Sequence, residues 1–100
     1  MDHSISEEGS KAVINLAGQL VSSDRDEFER VVSDVLQSGA ENVDVHMSEL
    51  TYMDSVGLGM LVGMRDEAEK HDVTVNLVEP QGNVKTLLDM ARFDILFNIR

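Results

Sequence analysis

The stretch TYMDSVGLGMLVGM holds the residues of this chain whose types and spacing are best suited to chemistry. Asp54 and Ser55 stand directly before a run of aliphatic residues and methionines that also contains Gly57, Gly59 and Gly63. At the start of a helix, an aspartate or serine can cap unpaired backbone N–H groups, and those groups can also hold an anion. The residues alone leave a helix cap, an anion site and a protein contact open.

The glycines of this run need a physical reason. A glycine inside a helix costs about 1 kcal/mol relative to alanine, so we expect close packing against something that an added side chain would block. On the inner side that neighbour is the sheet, and the most common use of such glycines is close contact between helix and sheet. Gly57 and Gly59 are two residues apart and cannot face the same neighbour. We therefore expect both faces of the first turn to be approached.

Other kinds of chemistry find little support. The chain has no cysteine, and His3, His46 and His71 are scattered without ligand spacing, so we expect no metal and no cofactor. It has no nucleophile elbow, phosphate-binding loop motif or paired-histidine motif, which argues against an enzyme. A net charge of -11 argues against nucleic acid or anionic membrane as a partner. With no secretion signal, we expect a cytoplasmic protein.

The elements that position Asp54 and Ser55 follow from hydrophobic spacing. KAVINLAGQL alternates as a strand, and Ile5 starts a strand that pairs with it as a hairpin. A helix begins at Ser23 in a capping-box-like start and stops at Gly39. NVDVHM, DVTVNLVE and DILFNI are predicted strands, separated by the helix that starts near Asp54 and by a helix over Asn83–Ala91.

This alternation predicts an α/β fold in one domain, residues 1–100: a mixed sheet of about four to five strands with helices packed mainly on one face. The charged run Arg65–Asp72 is expected to be a solvated helix face. Five methionines are expected to fill the core, although Met53, next to the serine, could be exposed: Met47, Met53, Met60, Met64 and Met90.

The segment LTYMDSVGLGMLVGM, followed by VNLVEPQGNVKTLLDMARFDILFNI, resembles a STAS domain of the anti-sigma-factor-antagonist type. The similarity runs over nearly the whole chain and includes LAGQL in the early strand. By this resemblance, the phosphorylated serine of the family falls on Ser55. An ATP-dependent serine kinase, often the anti-sigma factor itself, would phosphorylate it, and a metal-dependent PP2C-type phosphatase would reverse the reaction. The unphosphorylated form would bind the partner, and the protein would be a monomer or weak homodimer.

The resemblance also implies a set of partner-binding residues at the helix start and in the loop after the early strands: Met53, Asp54, Val56, Gly57, Val21 and Ser22. Two positions depart from the family pattern. Val56 stands where many relatives have a second serine. Val21 stands where relatives often have an aspartate used in partner contact, which bears on the choice of kinase.

The sequence is therefore compatible with three functions. The first is a phospho-regulated interaction switch that controls a sigma factor or another bacterial output, such as biofilm formation or stress signalling. The second is a small-ligand module, in which the helix start at Ser55 binds a nucleotide or another anion. The third is a constitutive scaffold piece of a signalling assembly.

Overall fold

The computed structural model describes residues 1–100 as a five-stranded sheet with three α-helices. In chain order the elements are β1 (Asp2–Glu8), β2 (Lys11–Leu20), α1 (Arg25–Gln37), β3 (Asn42–Met53), α2 (Ser55–Lys70), β4 (Thr74–Val78), α3 (Gly82–Met90) and β5 (Asn98–Ile99). The strand order is β1-β2-β3-β4-β5, with β1 antiparallel to β2 and the other pairs parallel. The predicted mixed α/β sheet and its opening hairpin are confirmed.

The two faces of the sheet differ in chemistry because side chains alternate along a strand. On β3, Val43, Val45 and Met47 are buried in one core together with apolar side chains from all three helices. Asp44, which alternates with them, points to the opposite face, where it meets polar neighbours. The helices therefore cover mainly one face, as predicted. None of the three α-helices combines the length and the hydropathy that a transmembrane span requires.

β3 is longer than the predicted strand, which ended at Met47. Its pairing with β2 shifts register twice, and both shifts place an extra residue on β3. Such bulges break the two-residue alternation, so the buried residues after Met47 are Leu50 and Met53, three apart each time. The sequence pattern consequently loses its strand signal where the strand continues.

The predicted last strand, DILFNI, is wrong over most of its length. Residues Phe93–Ile95 form a 3-10 turn, and only Asn98 and Ile99 pair with β4. Phe93 and Phe97 stack with ring centroids 5.6 Å apart, and the Phe97 N–H donates to the Phe93 carbonyl at 2.9 Å. The four-residue spacing of these two rings favours a helical turn over an extended strand.

Two smaller predictions also change. Ser23 does not cap α1: it lies in a 3-10 turn, where the Asp24 carboxylate accepts from the Val21 N–H at 2.9 Å. Gly39 ends α1 as predicted, in the left-handed region with φ 89°. Met90 is not core filler, because it lies at the end of α3 with 77% of its surface exposed.

A buried carboxylate organises the polar face of the sheet. Asp44 is only 3% exposed, and it accepts from Lys11 and Arg100 at 2.7 Å and from Asn76 at 2.9 Å. Burial alone would raise the pKa of Asp44. Hydrogen bonds from Lys11 and Asn76 and the nearby positive charges outweigh burial, so the pKa lies below its usual value. This cluster connects β2, β3 and β4 to Arg100, which follows β5.

We predict that Asp44→Asn lowers the free energy of unfolding at pH 7 by about 1.5–3 kcal/mol, because charged hydrogen bonds are lost. The pKa of Asp44 is lower in the folded chain, so its contribution is present above the unfolded-state pKa of roughly 3.9 and disappears as pH falls through the folded-state pKa. Urea unfolding of both proteins from pH 7 to acid should show converging stabilities. Asp34→Asn, an exposed carboxylate without a salt bridge, is the control; an equal loss for that variant would contradict the argument.

Candidate functional site

The carboxyl ends of β2 and β3 meet at one edge of the sheet. Leu20 and Met53, the last residues of these strands, are paired partners in the parallel ladder. The segments that follow them therefore begin side by side. The structure thus brings Val21 and Ser22 to the same edge as Asp54 and the start of α2.

Asp54, and not Ser55, is the cap of α2. Its backbone is extended (φ -105°, ψ -174°), and its carboxylate accepts from the Gly57 N–H at 2.9 Å. The Asp54 carbonyl accepts from the Leu58 N–H at 3.1 Å, which begins the helical ladder. Ser55 is the first helical residue and is exposed. Since the cap is already supplied, the Ser55 hydroxyl is left for another use.

Gly57 explains how tightly this helix start is held. A Cβ atom added at Gly57 would lie 2.5 Å from the Leu20 carbonyl oxygen and 2.5 Å from Met53 Cγ. No side chain fits that space, so glycine allows the first turn of α2 to approach the end of β2. The predicted close contact between helix and sheet is confirmed at this position.

Two of the predicted partner-binding residues need correction. Met53 is 4% exposed and Gly57 is buried, so neither can offer its atoms to a partner. Both face inward because the last residue of β3 and the first turn of α2 pack against the end of β2. They are positioning residues for the exposed surface. Asp54, Val56, Val21 and Ser22 lie at the surface and keep their predicted role as a proposal.

The other two glycines of α2 do not serve contact with the sheet. Gly59 and Gly63 are exposed, and an added Cβ at either position would meet nothing within 4 Å. Ser55, Gly59 and Gly63 are four residues apart, so they follow one another along one side of the helix. The prediction that both faces of the first turn are approached holds on the inner side, whereas the outer side is open.

One exposed residue at this edge was missed by the sequence analysis. Tyr52, the only tyrosine of the chain, lies two residues before Asp54 and is 44% exposed. Tyrosine is enriched at protein–protein contacts. The signal that could have found it is the alternation with buried Met53, but the bulges in β3 hide that alternation.

Comparison with known proteins shows the family to which the chain belongs. A family model described as "Mlab, STAS domain" matches residues 3–98. The chain belongs to the STAS domain family. The anti-sigma-B factor antagonist of Staphylococcus epidermidis is similar to it, at 26% identity over 86 residues, which cover 86% of this chain and 80% of that protein.

Solved structures share the fold of this STAS domain. An anti-sigma factor antagonist from Mycobacterium paratuberculosis has a TM-score of 0.85 at 15% identity, over 98% of this chain and 83% of that one. The Bacillus cell fate determinant SpoIIAA in its phosphorylated form has a TM-score of 0.75 at 18% identity, over 99% of this chain and 91% of that one. A murine anion transporter of the solute carrier 26 family, Slc26a9, also contains the fold, with a TM-score of 0.78 at 16% identity over 94% of this chain and 16% of that one. The fold therefore occurs in more than one class of protein.

Substitution of the buried Gly57 and of the exposed Gly59 should have opposite effects on stability. Gly57→Ala is predicted to lower the free energy of unfolding by about 1–3 kcal/mol, because the added methyl group overlaps Leu20 and Met53. Gly59→Ala is predicted to raise it by about 1 kcal/mol, because alanine favours the helix and nothing lies nearby. Urea denaturation of both variants is the measurement. A loss of stability in Gly59→Ala would contradict the open position of that residue.

The contributions of Asp54 and Ser55 to stability can also be measured separately by substitution. Asp54→Ala is predicted to lower the free energy of unfolding by about 0.5–2 kcal/mol, since the Gly57 N–H loses its acceptor. Ser55→Ala, its neighbour and matched control, should change stability by less than about 0.5 kcal/mol. Thermal and chemical unfolding check both. A larger effect at Ser55 than at Asp54 would show that the serine is the cap.

Proposed function

We propose that this STAS domain is a phosphorylation-controlled interaction switch in bacterial partner-switching signalling. Unphosphorylated Ser55 lies in a surface that binds an anti-sigma factor with serine kinase activity. Phosphorylation of Ser55 by that kinase blocks binding, and a PP2C-type phosphatase restores it. The protein acts by contact and carries out no catalysis itself.

The observation that carries this proposal is the exposed Ser55 hydroxyl at the first position of a helix that another residue already caps. A phosphate added to Ser55 therefore leaves the cap hydrogen bond in place. Here the Asp54 carboxylate holds the Gly57 N–H, so Ser55 is open to a kinase. The names of the relatives, anti-sigma-B factor antagonist and phosphorylated SpoIIAA, support the partner class and the modification.

The physics of the helix start favours a block of contact over a refolding. A phosphate adds about -1.5 to -2 charge at pH 7 and three acceptor oxygens. At a helix N-terminus it meets free N–H groups and the positive end of the helix dipole, which stabilise it. Asp54 lies beside it and the molecule carries a net charge of -11, so a partner would have to desolvate a dianion in an already acidic setting. The helix stays formed while the contact is lost.

The small-ligand alternative has less support from the structure. The two largest surface grooves are lined by other residues, and Ser55 contributes to neither. A ligand at Ser55 would rest on an exposed helix start without surrounding walls, whereas small-molecule sites are concave. The scaffold alternative predicts that binding does not depend on the charge at position 55.

We expect the protein from its native cells to carry one phosphate on Ser55 that phosphatase treatment removes, as shown by intact mass and peptide mapping. Ser55→Ala should co-purify with a serine kinase of the anti-sigma class. Ser55→Asp should bind that kinase at least about tenfold more weakly, or 1.4 kcal/mol, because it places a charge in the interface.

Ser6→Asp is the matched control, because Ser6 is an exposed serine on β1 rather than at the helix start. It adds the same charge and should leave kinase binding unchanged. Equal binding by wild type, Ser55→Ala and Ser55→Asp would replace the switch with the scaffold. A small anion retained by wild type in native mass spectrometry, without any phosphorylated form, would favour the ligand module.

A further inference from the structure

One long edge of the sheet has no strand beside it. β1 is the first strand in the order and pairs only with β2, so the backbone N–H and C=O groups on its other side have no strand partner. All seven residues of the strand, Asp2–Glu8, are exposed. At about 3.3 Å per residue, this edge is about 23 Å long. The strand at the opposite edge, β5, has only two residues and offers little backbone for pairing.

The β1 edge has few of the features that usually prevent pairing with another chain. Proteins protect an exposed edge by a short strand, a bulge, a proline, charged side chains or a covering segment. β1 pairs with β2 in an unbroken register of seven residues and contains no proline. Charge is the protection that remains, from Asp2, Glu7 and Glu8, and the strand has no lysine or arginine. Protection by charge of one sign is selective, because it repels an acidic strand and attracts a basic one.

The carboxylates of β1 are not neutralised within the chain. None of the salt bridges involves Asp2, Glu7 or Glu8. Lys11 lies opposite Glu8 in the ladder with β2, but its ammonium group lies 2.7 Å from the Asp44 carboxylate. The negative charge along this edge therefore remains available to a cationic partner.

A second copy of the chain does not fit this edge. If two β1 strands paired in antiparallel fashion about Ile5, Asp2 of each copy would lie opposite Glu8 of the other. Like charges directly opposite one another destabilise a sheet. Each copy would also bring a net charge of -11 against the other. A basic segment of a different protein is complementary instead.

The side chains of β1 indicate the pattern of such a segment. Ile5 is paired with Ile14, which is buried in the core, so Ile5 points to the helical side of the sheet. Its side chain is nevertheless 38% exposed. A strand added beside β1 would place one of its own side chains next to Ile5 and its two ends next to Asp2 and Glu8.

We infer that the β1 edge binds a basic extended segment of a partner protein by strand addition, with lysine or arginine at the ends of the segment and an apolar residue beside Ile5. The inference goes beyond the proposed function, because β2 lies between β1 and the strand that leads to Ser55. It assigns the domain a second contact surface. Addition of an extended peptide to a sheet edge is a recurrent mode of recognition, in which main-chain hydrogen bonds supply affinity.

The test is an NMR titration of the ¹⁵N-labelled chain with a synthetic peptide of seven residues that has lysine at both ends and alternating threonine and valine between them. We expect saturable shifts of the amide signals of Ser4, Ile5 and Ser6. Every second amide of β1 should also exchange its hydrogen more slowly, because the outward N–H groups gain acceptors. A twin peptide with glutamate in place of lysine should bind at least about tenfold more weakly.

A second twin peptide separates strand addition from simple attraction of charge. It keeps both lysines and has proline in place of the threonines, so it cannot donate the main-chain hydrogen bonds of a strand. We expect it to bind at least about tenfold more weakly than the first peptide. Equal binding would show attraction without pairing and would overturn the inference.

Variants of the chain test the acidic edge. Asp2→Asn combined with Glu7→Gln and Glu8→Gln should keep its unfolding temperature, because these side chains are exposed and unpaired. Its affinity for the lysine peptide should fall at least about tenfold. The control removes three exposed carboxylates on α1 or beside β4, by the substitutions Asp34→Asn, Asp72→Asn and Glu79→Gln. Its affinity should stay within about threefold of wild type, because salt screens charges more than about 8 Å away.

The remaining outcomes are also decisive. An equal loss of affinity in both triple variants, absence of shifts in β1, or shifts confined to other surfaces would overturn the inference. Shifts of the β1 amides that grow with protein concentration in the absence of peptide would assign the edge to a second copy and would also overturn it. Ser55→Ala and Ser55→Asp should bind the peptide as wild type does, so the titration and the switch experiment can fail independently.

Discussion

The close approach of α2 to the end of β2 determines the rest of the site. At Gly57 the helix lies so near the Leu20 carbonyl that only a hydrogen atom fits. This contact fixes the first turn of α2 relative to the strand ends, and with it the position of Ser55. Sites built on helices and strands hold their geometry more precisely than sites built on loops. Under the proposed function, phosphorylation of Ser55 would change the surface of the domain rather than its fold.

Asp54 and Ser55 differ in their contacts at this helix start. Asp54 supplies the acceptor that the first turn requires, and Ser55 stays exposed. The separation lets charge at position 55 change without loss of the cap. The residue that stabilises the helix start and the residue proposed for regulation are thus neighbours in the sequence.

Much of the fold could be predicted from the sequence because most elements follow simple periodicity. The apolar spacing of α1 and the alternation in β2 and β4 gave their locations to within a few residues. The failures have physical causes. Bulges in β3 replaced alternation by steps of three, and the Phe93–Phe97 stack closed a turn where a strand was expected. At the site, the sequence predicted a helix start at Asp54 and Ser55, but it could not show that Met53 faces inward. The roles of the glycines depend on distances to other elements, which no local pattern contains.

The uncharged stretch after Ser55 explains why one phosphate there would have a large effect. Charged residues make up 27% of the chain, and on α2 they begin only at Arg65. A phosphate added among the charges from Arg65 to Lys70 would join a surface that is already hydrated and ionic. At Ser55 the same group would add about two negative charges next to Asp54, at the start of a helical stretch that has no charged side chain up to Met64. Since the free energy of a contact depends on how much charge must lose its water, the contrast is greatest where the surrounding helix has none. Under the proposed function, the absence of charged side chains from 55 to 64 would therefore strengthen the effect of a phosphate on the contact.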